Sequence, residues 1–252
     1  LESHNQMQPM KTISFCLLII GSCFSSYQTI AQNEKYDKIL ILIVNEDYEK
    51  ALYKAEAFTL KDDTKKDPIP HLYCSMAYFE ISKRNEYQEK YPKAFAESLK
   101  YAGKFRKYDK NNEFYPEHTE FLGELRKESY IQAEIMNDQS KWTRSRAIYK
   151  GLVDLDPNDP GAQLMQAFVL YKAKANRDGD LSAQAAKDLV KKNGTSGLGK
   201  EQVDFLRRSI LTMSEYHNGS GNRAKAKELL ELGHPYFKED KEFMVTYNNI
   251  GG

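Results

Sequence analysis

Cysteine is scarce in this sequence. Three occur, at positions 16, 23 and 74, and the first two lie inside an apolar leader. With that leader removed Cys74 stands alone, so no intramolecular disulfide is available and packing must hold the fold. Cys74 sits in HLYCSMAYF with no histidine spaced for a dyad, which reads as a buried structural thiol. An excess of one charge is missing too: 37 basic residues face 36 acidic ones, for a formal charge of +1. No global field therefore draws the chain to nucleic acid or acidic lipid. Tryptophan occurs once, against seventeen tyrosines. Such amphipathic rings half-bury in thin helical layers or present contact surface to a partner. Sustained strand-like alternation is absent beyond Gln32. The one continuous apolar run, ILILIV at 39–44, has the length of a strand but leads into helical spacing at Tyr48, Ala51, Leu52 and Ala55. A buried first helix is the expectation.

The amino terminus speaks to location. From Met10 the chain reads MKTISFCLLIIGSCFSSYQTIAQ: Lys11 is a positive n-region, 13–24 an apolar stretch too short to span a bilayer, and 25–31 a polar region ending at Ala31. This is the outline of a secretory signal peptide over 10–31, preceded by an upstream or cloned extension at 1–9. The mature domain is then 32–252. The Ala31-Gln32 ending resembles export signals of Bacteroidetes, which implies a bacterial source. A rival site is Ile20-Gly21-Ser22-Cys23, which resembles a lipobox and would place a lipid on Cys23.

Beyond the leader, helical patterns come in pairs: 34–45 with 47–60, 69–84 with 90–107, 117–139 with 141–154, 160–175 with 182–192, and 201–216 with 222–232. Breakers such as KDDTKKDPIP, DPNDP and KKNGTSGLGK separate them, and a short tail adds a terminal helix. At DPNDP, Pro157 stops one helix while Asp159 and Pro160 form an N-cap and first turn for the next. Small residues recur at Ala51, Ala94, Ser145, Ala185 and Ala224, a spacing that suggests stacked helical hairpins.

These features resemble the tetratricopeptide repeat (TPR) family. Asp47-Tyr48-Glu49-Lys50-Ala51-Leu52 is similar to the opening of that family's second helix, and Ser145, Tyr149, Leu152 and Pro157 match its small, aromatic, apolar and proline positions. Ser75 with Tyr78, Ala133 with Met136, and Ala167 with Leu170 match its small-then-large pairs. The linkers here are longer and less even than the family's 34-residue repeat, and Gln163 stands where an aromatic is expected. The resemblance implies an all-α, right-handed superhelical solenoid of about five TPR-like hairpins. It also implies a non-enzymatic protein–protein interaction scaffold with no cofactor.

Motifs that could carry chemistry are incomplete. GTSGLGKE at 194–201 lacks the Ser or Thr after Lys200 and the preceding strand that a phosphate loop needs. Asn176-Arg177-Asp178-Gly179-Asp180 starts like a calcium loop, but Leu181 and Lys187 replace its required glycine and glutamate; a turn capped by Ser182 is expected. The histidines are too scattered for a metal centre. KYAGKFRKYDK at 100–110 interleaves cations with rings, and if functional it would meet an acidic partner surface.

The first helix of each hairpin is expected to line an inner groove, presenting Lys127, Tyr130, Glu134 and Asn137 from the third pair. Gly161, Leu164, Phe168 and Tyr171 would follow from the fourth. That mixture suits an envelope protein or extended peptide as partner, in an exported protein of the periplasm or outer membrane, with outer-membrane transport or secretion as the finer expectation. Nucleic acid is not an expected partner; membrane association would run through a partner or a lipidated Cys23. The alternative is a glycan- or nutrient-binding accessory protein stacking sugars on the same rings.

Overall fold

The computed structural model describes residues 35–251. The upstream extension, the signal peptide and Cys23 lie outside the described residues. Among the described residues eleven α-helices form: α1 (Asp37–Val44), α2 (Tyr48–Leu60), α3 (Pro68–Ser82), α4 (Ala94–Tyr108), α5 (Thr119–Asp138) and α6 (Trp142–Leu155). Then come α7 (Pro160–Lys172), α8 (Asn176–Asn193), α9 (Lys200–Gly219), α10 (Arg223–Phe237) and α11 (Lys241–Gly251). No strand forms among the described residues, and none of their helices is long and apolar enough to cross a membrane.

Five antiparallel hairpins result, α1/α2 through α9/α10, closed at the end by α11. Four of them share one turn. Glu46, Ser140, Lys174 and Gly221 each adopt positive φ. The next residue's N–H then reaches five residues back, from Asp47 to Leu42, Lys141 to Met136, Ala175 to Leu170 and Asn222 to His217. This left-handed closure satisfies carbonyls that the ending helix would otherwise leave orphaned. Five residues past each turn stands a small buried residue: Ala51, Ser145, Gly179 and Ala226. The turn thus sets where the second helix presses on the first.

That register corrects part of the expected recurrence. Ala185 is half-buried and Ala224 exposed. For Ala185 the cause is the start of α8, which begins at Asn176 and not after Ser182. Asp178, Gly179 and Asp180 therefore form its first turns, with no loop there. In the second hairpin the contact falls at Ser98 and not Ala94, where Ser75 Oγ donates to the Ser98 carbonyl and Ser98 Oγ to the Ser75 carbonyl, at 2.9 and 2.8 Å. The first helix also departs from expectation: Ile39 is buried, but Ile41 and Val44 are 56% and 72% exposed because no hairpin among the described residues covers that edge.

The DPNDP joint forms as its chemistry dictates. Asp159 is the N-cap of α7, its side chain accepting from the Ala162 N–H at 3.0 Å, and Pro160 is the first helical residue. Stacking then follows two routes. α4 packs directly on α6 with little of α5 between, and α9 lies across α7. Phe79, Phe105, Tyr149, Phe205 and Phe243 fill the interior from three of the five hairpins and from α11.

Candidate binding groove

Three first helices, α5, α7 and α9, meet around the joint before α7. Tyr130 of α5 stacks on Phe205 of α9 with ring centroids 3.7 Å apart and planes 14° from parallel. Its hydroxyl donates to Asp159, the cap of α7. Beside it Arg126 pairs with Asp156 at 3.3 Å, and Gln202 of α9 donates to the same carboxylate at 3.1 Å. Burial, then the charge of Asp159, pushes the Tyr130 phenol well up. Burial also raises Asp159, against the hydrogen bonds from Tyr130 and Ala162 that favour its anion. For Arg126 burial opposes the cation, but Tyr130 and Asp156 outweigh it and its pKa rises. The seam is a set of interlocking hydrogen bonds and an ion pair that fixes α5, α7 and α9 against one another.

Above this seam runs an open groove of about 380 Å³ between α5 and α9. Lys127, Ile131 and Tyr130 line one wall, and Lys200, Glu201, Asp204 and Arg208 the other. Glu134 reaches across to Arg208, which also pairs with Asp204 at 3.1 Å. Ile131 and the next residue on that face, Ile135, are 43% and 40% exposed. Apolar surface is thus offered beside mixed charge.

The residues expected to face a groove divide. Lys127 is exposed, and Glu134 and Asn137 are partly so. Asn137 donates to the Tyr149 hydroxyl at 2.8 Å, and its own carbonyl oxygen is buried without a partner. Leu164, Phe168 and Tyr171 are instead seated in the interior, which corrects their expected groove-facing placement, while Tyr130 is buried in the seam and meets the groove only at its wall. The reason is that α9 itself covers that face of α7. A Cβ on Gly161 would stand 2.9 Å from the Phe205 ring and 3.1 Å from the Leu206 nitrogen. Further along, Tyr216 packs against Phe168 and Tyr171 at 5.6 and 5.8 Å. In the sequence the second groove wall is hidden, because Lys200 and Glu201 close GTSGLGKE, a stretch that resembles a defective phosphate loop. The spacing of Lys200, Asp204 and Arg208, four residues apart, is the signal for one polar stripe of a helix.

Other expected features also find places. Cys74 is buried, and burial pushes its thiol far up, away from the thiolate a nucleophile needs. Asp180 accepts from Tyr171 at 2.8 Å and pairs with Lys225 at 3.0 Å. Among the described residues no group of three or more His, Cys, Asp or Glu side chains is placed to hold a metal ion.

Paired helices stacked by small residues at their turns define an all-α, TPR-like helical solenoid. No family model and no curated protein matches the chain. Among solved structures, the C-terminal part of a TPR repeat-containing protein from Cytophaga hutchinsonii is similar at 15% identity, covering 84% of this chain and 98% of that one, with a TM-score of 0.28. At that distance the assignment rests on the hairpins themselves.

Proposed function

We propose that this protein is a non-enzymatic scaffold or adaptor of the bacterial envelope that holds a protein segment in the groove between α5 and α9. The observation that supports it is the pairing of exposed Ile131 and Ile135 with the charged wall of Lys200, Asp204 and Arg208. An apolar strip rimmed by polar groups is a docking surface, in which the isoleucines supply desolvation and the charges set register. Export through the 10–31 signal belongs to the same reading, with release after Ala31 or a lipid on Cys23. Service in an outer-membrane transport or secretion complex is its finer form.

The test is capture of native envelope partners by the mature protein, beside Ile131→Asp and Ile135→Asp. Both positions are exposed, so the fold should survive, and loss of the captured proteins is expected. Unchanged capture by both variants removes the groove from the proposal. Retention of a soluble oligosaccharide and no protein would favour the glycan-binding alternative. Sequencing the native amino terminus checks export: Gln32 or a modified Cys23 is expected, and an intact Met10 overturns it.

A further inference from the structure

The basic stretch at 100–110 plays no part in the groove. It lies on second helices, where α4 packs against α6. Lys100, Gly103, Lys104 and Lys107 recur three and four apart along one stripe of α4, and Lys150, Val153 and Asp154 do the same on α6. Together they line an open trough of about 760 Å³. Gly103 forms its floor: a Cβ there would stand 2.9 Å from the Asp154 Cβ, so the helices touch and the lysine stems rise on either side.

Five cations border this trough (Lys100, Lys104, Arg106, Lys107 and Lys150) against one carboxylate, in a chain of formal charge +1. Some of that charge is used locally. Lys150 pairs with Asp154, and Lys100 with Glu97 at 2.7 Å. Arg106 lies over the Tyr115 ring at 3.9 Å and donates to Asn112 and the Leu155 carbonyl. Lys104 and Lys107 form no ion pair with any described residue. Lys104 stands over the Tyr101 ring at 4.8 Å, which holds its stem upright without cancelling its charge.

We infer that this trough docks an acidic helix of a partner protein, with carboxylates three and four residues apart on one face. From Lys100 to Lys107 is seven residues, about 10 Å along the helix at ~1.5 Å each. A second helix laid alongside presents Glu at the same rise, whereas an extended strand repeats its face every ~7 Å and falls out of step. Val153, Pro157 and the lysine stems supply apolar contact, and the cations of the trough supply the charge that selects an acidic face, so binding should weaken with salt.

The experiment uses the full mature chain and a fluorescent helical peptide with Glu at positions i, i+4 and i+7. Its comparators are a peptide of the same composition with Glu spread around the helix, and phosphatidylglycerol vesicles. Tighter binding of the patterned peptide is expected, weakened roughly tenfold or more by Lys104→Glu with Lys107→Glu and preserved by the paired Arg variants. Circular dichroism confirms that the charge-reversed protein remains helical. Ile131→Asp should bind this peptide like wild type, so that failure here and failure of the α5–α9 groove are separate results. Equal binding of both peptides overturns the inference, as does binding of vesicles alone or indifference to the charge reversal.

Discussion

Gly161 decides how closely α9 approaches α7. The backbone of Leu206 lies 3.1–3.2 Å from where its Cβ would be, and backbone cannot swing aside as a side chain can. Gly161→Ala should therefore cost about 1–3 kcal/mol despite alanine's better helix propensity. Gly123, inside α5, has nothing within 4 Å of its would-be Cβ. Gly123→Ala should gain about 0.5–1 kcal/mol. Urea unfolding of both variants checks the opposite signs. A second residue-scale effect concerns pH. Burial lowers the pKa of His71, His118 and His217 from the ordinary 6.5. His71 donates from Nε2 to the Lys65 carbonyl at 3.0 Å, while its buried Nδ1 has no acceptor waiting for a second proton. On acidification the unfolded chain takes up these protons first. Their contribution to stability is thus complete above 6.5 and is lost as pH falls below it. The melting temperature should drop between about pH 7 and about pH 5.5, and His71→Gln with His217→Gln should flatten that slope. An equal slope in the variant would assign the acid sensitivity elsewhere. Asp159, raised by burial, acts in the opposite sense above the ordinary carboxylate range.

At the scale of the element, the repeated turn is the organising device. Ser140 and Lys174 hold positive φ with a side chain attached, whereas Gly221 does so freely. Ser140→Gly should stabilise the third hairpin by about 1 kcal/mol, and Gly221→Ala should destabilise the fifth by a similar amount. Thermal unfolding of the pair checks this. The pairing of helices was legible in the sequence because its signals are local. Pro157 ends a helix and Asp159 caps the next whatever surrounds them. The start of α8 was not legible, since Asn176-Arg177-Asp178-Gly179-Asp180 has turn-like composition. What makes it helix is non-local: Gly179 lies against the Tyr171 ring, where a Cβ would come within 2.7 Å. The fate of Tyr130 was hidden for the same reason. Its ring faces inward only because Phe205, 75 positions away in sequence, arrives to cover it.

For the whole molecule, strict stacking would let each hairpin touch only its neighbours. The third hairpin here reaches past the fourth to the fifth, through Tyr130 on Phe205 and Glu134 on Arg208. Residues 119–237 are thereby tied as a closed group, whereas α1 to α4 attach to it chiefly through α4 on α6. At the other end α11 covers α10 with Phe243, which has no exposed surface and packs on Phe237 at 5.5 Å. Phe243→Ala should cost about 3–5 kcal/mol. Hydrogen exchange should show the loss spreading through α9 and α10 to α5, where a purely sequential stack would confine it to α9–α11. The same tie bears on how the protein would carry tension. Pulled by its two ends, the molecule should pay out α1 to α4 at low force and then stall. The knot of Tyr130, Asp159 and Phe205 would yield last and in one step, giving a tether with a slack leader and a firm stop.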